Sequence, residues 1–156
     1  MKNRTFDLIV YGATSFVGQI LTRYLFEHIG VGGKVNWAIA GRSEKKLAVL
    51  KSSLGSSADS LSVIVADASD GVALTTMCQS ARVIASTVGP YALYGEPLVK
   101  ACAENGTDYC DLCGEAYWIK AMILKYSDAA KASGARIVSC CGFDSIPSDL
   151  GVHFLQ

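Results

Sequence analysis

Seven residues, GATSFVG at positions 12–18, have the types and spacing to hold a pyrophosphate. An apolar run, Phe6–Tyr11, leads into them, and an apolar pattern of helical period leaves them at Phe16, Val17, Ile20, Leu21, Tyr24 and Leu25. Strand, glycine turn and helix in that order form the opening unit of a dinucleotide-binding fold. Gly12 permits a sharp turn out of the strand. The backbone N–H groups of Ala13, Thr14, Ser15, Phe16 and Val17 then gather at a helix N-terminus, where the helix dipole favours an anion. Gly18 lets the helix pack closely on the strand. Ser15 stands where a further glycine is common, and it trades backbone freedom for a hydroxyl able to reach a phosphate oxygen. A glycine-rich turn in an α/β protein that binds no nucleotide fits the same seven residues.

The next informative residues are Gly41, Arg42 and Ser43, at the end of a second apolar run, 35–40. An NAD-binding unit usually carries an acid here for the ribose 2′-hydroxyl. This chain has no acid before Glu44, and Lys45 and Lys46 follow. A carboxylate would repel a 2′-phosphate, whereas a guanidinium grips one bidentately. A charge-assisted hydrogen bond contributes about 1.5–3 kcal/mol, so these residues favour NADP(H) over NAD(H). Ser43 can cap the following helix and bind phosphate from the same position. Asp67 and Ala68 end a third apolar run, 61–66. Asp67 suits either the adenine edge of a cofactor or the cap of a helix starting near Gly71.

A fourth run, 82–87, enters the loop VGPYALYG at 88–95. A doubly wound sheet reverses its strand order between the first and fourth strands, so Val88, Gly89, Pro90 and Tyr91 border the ligand crevice. Tyr91 offers a ring face and a hydroxyl, for packing or for chemistry. Cys110 and Cys113 have C-x-x-C spacing. A redox C-x-x-C places its first cysteine at a helix N-terminus, but Cys110 falls in a strand, 107–112, and no histidine is near enough to complete a zinc site. These cysteines read as small apolar residues of buried strands, with no metal site. Cys140 and Cys141 are strand neighbours whose side chains point to opposite faces.

The elements that must position these residues alternate along the chain. Helices are expected over 43–54, 72–79, 97–105 and 116–133, the last in one piece or two. A sixth strand covers 135–140, and a final helix starts at Pro147 with Ser145 as its cap. Six strand–helix repeats imply an α/β fold: a Rossmann-type, doubly wound, parallel six-stranded sheet of order 3-2-1-4-5-6 with helices on both faces. A chain of 156 residues, 51% apolar and 18% charged, forms one well-buried domain. Its net charge of zero gives no electrostatic footprint for nucleic acid. No window approaches the ~20 apolar residues of a membrane helix, and no signal peptide opens the sequence. A cytoplasmic protein is expected.

The later segments carry a resemblance. GATSFVG (12–18), AGR (40–42), TVGPY (87–91), YGEP (94–97), GE (114–115) and GFDSIPSDLG (142–151) occur in that order. Together they resemble the N-terminal NADP-binding domain of saccharopine dehydrogenase-like oxidoreductases, a group that includes saccharopine reductases and mycobacterial trans-acting enoyl reductases. The resemblance covers essentially the whole chain and departs from the family at Ser15. It implies hydride transfer between NADP(H) and a small-molecule substrate, with the nicotinamide near Gly89, Pro90, Gly114 and Phe143. It also implies a further substrate-binding and dimerisation domain, absent here, and a homodimer in the full-length form. No Tyr-x-x-x-Lys pair is present. Tyr91, Glu115 and Asp144 are the acid–base candidates near the crevice, each with a capping or loop-ordering role as the alternative, so no catalytic residue is assigned. A regulatory module that binds NADP(H) without turnover, and an interaction domain with a vestigial pocket, are the competing readings.

Overall fold

Residues 4–156 are described by the computed structural model. Six strands form in chain order: β1 (Phe6–Tyr11), β2 (Trp37–Gly41), β3 (Ser62–Val65), β4 (Ala81–Ser86), β5 (Asp108–Asp111) and β6 (Ile137–Val138). Seven helices separate and follow them: α1 (Phe16–His28), α2 (Glu44–Ser53), α3 (Gly71–Ser80), α4 (Tyr91–Tyr94), α5 (Glu96–Asn105), α6 (Ala116–Ser133) and α7 (Ile146–Leu155). The strands make one parallel sheet of order β3-β2-β1-β4-β5-β6, as the sequence implies. β1 lies at the centre, with Ile9 registered on Ala38 of one neighbour and on Ile84 of the other.

Alternation along β1 sorts its side chains between two apolar layers. Val10 joins Leu25, Ile39, Leu47 and Leu50 beneath α1 and α2. Ile9 and Tyr11 join Leu74, Met77, Leu98 and Trp118 beneath α3, α5 and α6. Helices therefore cover both faces, as expected of parallel strands with crossover connections.

Several boundaries differ from the sequence reading. The strand expected at 135–140 pairs only at Ile137–Val138. Beyond it Cys140 takes a left-handed φ of 62°, and its N–H bonds the Asp111 carboxylate at 3.1 Å, which pulls the chain out of the ladder. The segment 116–133 is one unbroken helix ended by Gly134 at φ 83°. Within the expected loop 88–95, Tyr91–Tyr94 turn once as α4. Ser145 precedes α7 without a side-chain cap bond. On α1 the buried face is Gly18, Thr22 and Leu25, whereas Phe16, Ile20 and Tyr24 form an exposed apolar stripe. No helix of the described residues is long and apolar enough to cross a membrane.

Candidate cofactor-binding site

The carboxyl ends of β1, β2, β3 and β4 open onto a groove of about 520 Å³. Its floor begins at the turn after β1. Gly12 has φ +83°, and a Cβ there would stand 2.6 Å from Val88 Cγ2 and 2.8 Å from Thr87 Oγ1. A Cβ on Gly18 would collide with the Gly12 carbonyl oxygen. The two glycines thus allow α1, β1 and the β4 loop to meet at backbone distance, leaving a cradle that larger residues would fill.

The five expected N–H groups do not all face outward. Ala13 donates to Ala40 O at 3.1 Å and Ser15 donates to Gly12 O at 2.8 Å. Thr14, Phe16 and Val17 keep theirs without a partner among the described residues. Three free N–H groups at a helix N-terminus still suit an anion. Ala13 is fully buried and serves as support.

The Ser15 hydroxyl, placed to reach a phosphate oxygen in the sequence reading, is engaged within the protein. It accepts from Gly18 N at 3.0 Å, as the cap of α1, and lies 3.0 Å from Thr87 Oγ1. Thr87 Oγ1 in turn donates to Gly12 O at 2.9 Å. With its single proton spent there, Thr87 accepts the proton of Ser15. The serine thereby ties the turn to the loop after β4.

At the far end of the groove, Gly41, Arg42 and Ser43 line one wall with Lys46. Ser43 Oγ caps α2, accepting from Lys46 N at 3.4 Å. Arg42 and Lys46 are exposed, and no ion pair engages either among the described residues. Asp67 and Ala68 form the facing wall. Asp67 does not cap α3: Asp70 does, accepting from Val72 N at 3.0 Å and Ala73 N at 2.9 Å. Asp67 Oδ1 instead accepts from the Ser69 hydroxyl at 2.7 Å and from its N–H at 2.9 Å. Those bonds, with a smaller contribution from Arg42, hold the Asp67 carboxyl below its ordinary range.

Val88 and Gly89 border the groove at its β4 side, and Pro90 follows through a cis peptide bond. Tyr91 lies beneath and is 6% exposed. Its hydroxyl donates to Ser86 O at 3.0 Å and accepts from Leu112 N at 3.4 Å. Burial pushes this phenol above its usual range. Glu115 accepts from Tyr91 N at 2.7 Å through one oxygen and from Ala92 N at 2.9 Å through the other. Both residues are committed to holding α4, which favours the loop-ordering alternative for each. Gly114 and Phe143 lie outside the groove wall, at the β5 and β6 ends, and Phe143 is 91% exposed. Asp144 sits beside them, with Oδ2 3.5 Å from where a Gly114 Cβ would be.

The cysteines are free thiols. Burial lifts Cys110 and Cys113 each to about 11, so both stay protonated and weakly nucleophilic near neutrality. Among the described residues no group of three His, Cys, Asp or Glu side chains is arranged to hold a metal ion.

Sequence reasoning did not assign Tyr11, Lys46, Ser69, Thr87 and Tyr94 to the groove, which they also line. Lys46 was within reach of it, because a residue three places after Ser43 shares its helix face. Ser69 follows from the Asp-x-Ser turn. Tyr11 carries no such signal, since its position in an apolar strand reads as core.

The description that matches residues 8–138 is that of the saccharopine dehydrogenase NADP-binding domain. A trans-acting enoyl reductase of Mycobacterium tuberculosis is 46% identical over 152 residues, 97% of this chain and 36% of that protein. A Caenorhabditis elegans protein named lipid droplet localized protein is 45% identical over 155 residues, with the same two coverages of 97% and 36%. Among solved structures, the saccharopine dehydrogenase (L-Glu forming) of Saccharomyces cerevisiae superposes with a TM-score of 0.64 at 18% identity. That superposition covers 90% of this chain and 28% of the yeast one, and it bears on the fold. The chain spans about a third of the length of the curated relatives it matches.

Proposed function

This chain belongs to the saccharopine dehydrogenase NADP-binding domain family, and from that premise we propose that it is the cofactor domain of an NADPH-dependent reductase. In this reading residues 1–156 bind the dinucleotide and a further domain of a longer chain holds the substrate and pairs two copies. When bound, the cofactor supplies a hydride, and the substrate takes up a proton in the same overall reduction. The relatives named trans-acting enoyl reductase support an electron-poor carbon–carbon double bond as the group reduced.

The observation that carries the reading is the pairing of two features in one groove. One end offers three free N–H groups at the α1 N-terminus for the pyrophosphate. The other offers Arg42, Ser43 and Lys46, with no acid among them, for a 2′-phosphate. Within this proposal Gly12, Thr14, Phe16, Val17 and Gly18 shape or serve the pyrophosphate cradle. Gly41, Arg42 and Ser43 hold the ribose phosphate, Asp67 and Ala68 flank the base, and Val88, Gly89 and Pro90 lead to the nicotinamide end. Gly114 and Phe143 complete that end. A cytoplasmic location belongs to the same proposal, with a lipid droplet surface as the alternative that the worm relative raises.

Calorimetric titration with NADPH and NADH, repeated on Arg42→Ala, tests it. NADPH should bind at least about tenfold tighter than NADH, as one charge-assisted contact would give, and the substitution should remove most of that margin. Equal binding of the two cofactors would refute the assignment of Arg42. Tight NADPH binding without turnover, across enoyl substrates offered to the full-length chain, would favour the regulatory reading.

A further inference from the structure

Tyr11 is the last residue of β1 and is 2% exposed. Its ring packs in the apolar layer beneath α3, among Leu74, Met77 and Cys78. Its backbone oxygen is engaged by Thr87, but its hydroxyl makes no hydrogen bond among the described residues. A buried polar group without a partner is costly and calls for an explanation. Thr22 Oγ1 and Trp118 Nε1 are the side-chain atoms of the described residues that are both sealed from solvent and unpartnered. Tyr11 Oη is not one of them, and the residue lines the groove. The phenol is thus almost wholly buried, held by the core and unpartnered, on a residue that lines the groove.

What faces it narrows the ligand. Asp67 and Arg42 are the charged groups whose fields reach the hydroxyl, and Cys78 lies behind it. Burial, reinforced by Asp67, holds the phenol protonated far beyond its ordinary range, so it remains a donor at any working pH. Asp67 is ionised and accepts only. A phosphate would be drawn to Arg42 and repelled by Asp67. Tyr11 and Asp67 both line the groove and present to it one donor and one acceptor. A purine with an exocyclic amine answers that pair, since the amine donates and a neighbouring ring nitrogen accepts.

Resting on the cofactor reading above, we infer that the Tyr11 hydroxyl donates a hydrogen bond to a ring nitrogen of the adenine, making Tyr11 a specificity-determining residue at the base end of the groove. It reads the base from the floor while Asp67 takes the amine from the wall.

The full-length chain and its Tyr11→Phe variant are titrated calorimetrically with NADPH, NADH and adenosine 2′,5′-bisphosphate, and melted without ligand. Loss of one hydrogen bond should weaken all three by a similar factor, about three- to tenfold, and leave the NADPH-to-NADH ratio unchanged. A distorted β2 turn would instead erode that ratio, and the inference would fall. It would fall equally if the variant bound all three ligands as wild type does, or if the loss spared the bisphosphate. If wild type binds none of the three, the cofactor reading itself fails, and Tyr11 with it.

Discussion

Thr87 sets the geometry of the glycine turn. Its hydroxyl donates to Gly12 O at 2.9 Å and receives the proton of Ser15, 3.0 Å away. Valine at this position would keep the shape and remove both bonds, together with the longer one of 3.2 Å to Tyr11 O. The half-buried oxygens left behind should cost about 1–3 kcal/mol of stability, and the loosened turn should weaken NADPH binding. Thermal melts and NADPH titration of Thr87→Val check this; unchanged values in both would show that the turn holds itself. Ser15→Gly should lose the helix cap as well, at about 1 kcal/mol or less. The glycine turn and the position of Arg42 on the groove wall are legible in the sequence because backbone geometry and charge are written in residue type. The contact between Ser15 and Thr87 is not legible there, because the two residues lie 72 positions apart and nothing local points to it. Tyr11 escaped notice for a similar reason: only the packed sheet makes its hydroxyl unpartnered.

The elements divide by how local their causes are. α2 was legible because Ser43 caps it and Leu47 and Leu50 bury one face. α4 was not, because one turn of helix has no periodicity to read. It is held from outside, by the two Glu115 oxygens on Tyr91 N and Ala92 N. The short β6 was also overestimated, since its end is set by Asp111, whose carboxylate accepts from Cys113 N at 3.0 Å and Cys140 N at 3.1 Å. At the other end of that strand pair, Asp108 accepts from Arg136 N at 2.8 Å and from Arg136 Nε at 2.9 Å. The guanidinium holds the Asp108 carboxyl below its usual range. A depressed carboxylate stabilises the fold above its unfolded pKa, near about 4, and that contribution is lost as the pH falls through the lower folded value. Arg136→Ala should therefore unfold at lower urea than wild type at pH 7, with the two midpoints converging below the ordinary aspartate range. A gap that persists at pH 2 would mean the arginine acts through packing and not through charge.

At the scale of the molecule, the strand order and the two-sided helical cover followed from alternation of apolar runs with helical patterns. The exposed faces did not follow. α7 buries none of its residues although Ile146, Leu150, Phe154 and Leu155 are apolar, and hydrophobic patterning alone would have turned such a helix inward. Cofactor binding should register as global stability, because the groove draws on β1, β2, β3 and β4 together. NADPH at about one hundred times its dissociation constant should stabilise the domain by about 2.7 kcal/mol. That corresponds to a rise in Tm of about 5–10 °C for a domain of this size. NADH at the same concentration should raise it less. Equal shifts in a thermal melt would contradict the preference assigned to Arg42.

The tie from Thr87 to the glycine turn has a consequence for the chain while it is being made. β1 and the GATSFVG segment are translated ahead of β4, and the residue that ties down their turn lies 75 positions beyond Gly12. At about 5–20 residues per second that is a wait of roughly 4–15 s. During it the nascent polypeptide carries a glycine turn that lacks its latch and a central strand with one edge unpaired. A ribosome-bound chain halted before Thr87 should thus bind NADPH more weakly than the finished domain, and full affinity should arrive only after β4 and Thr87 have emerged.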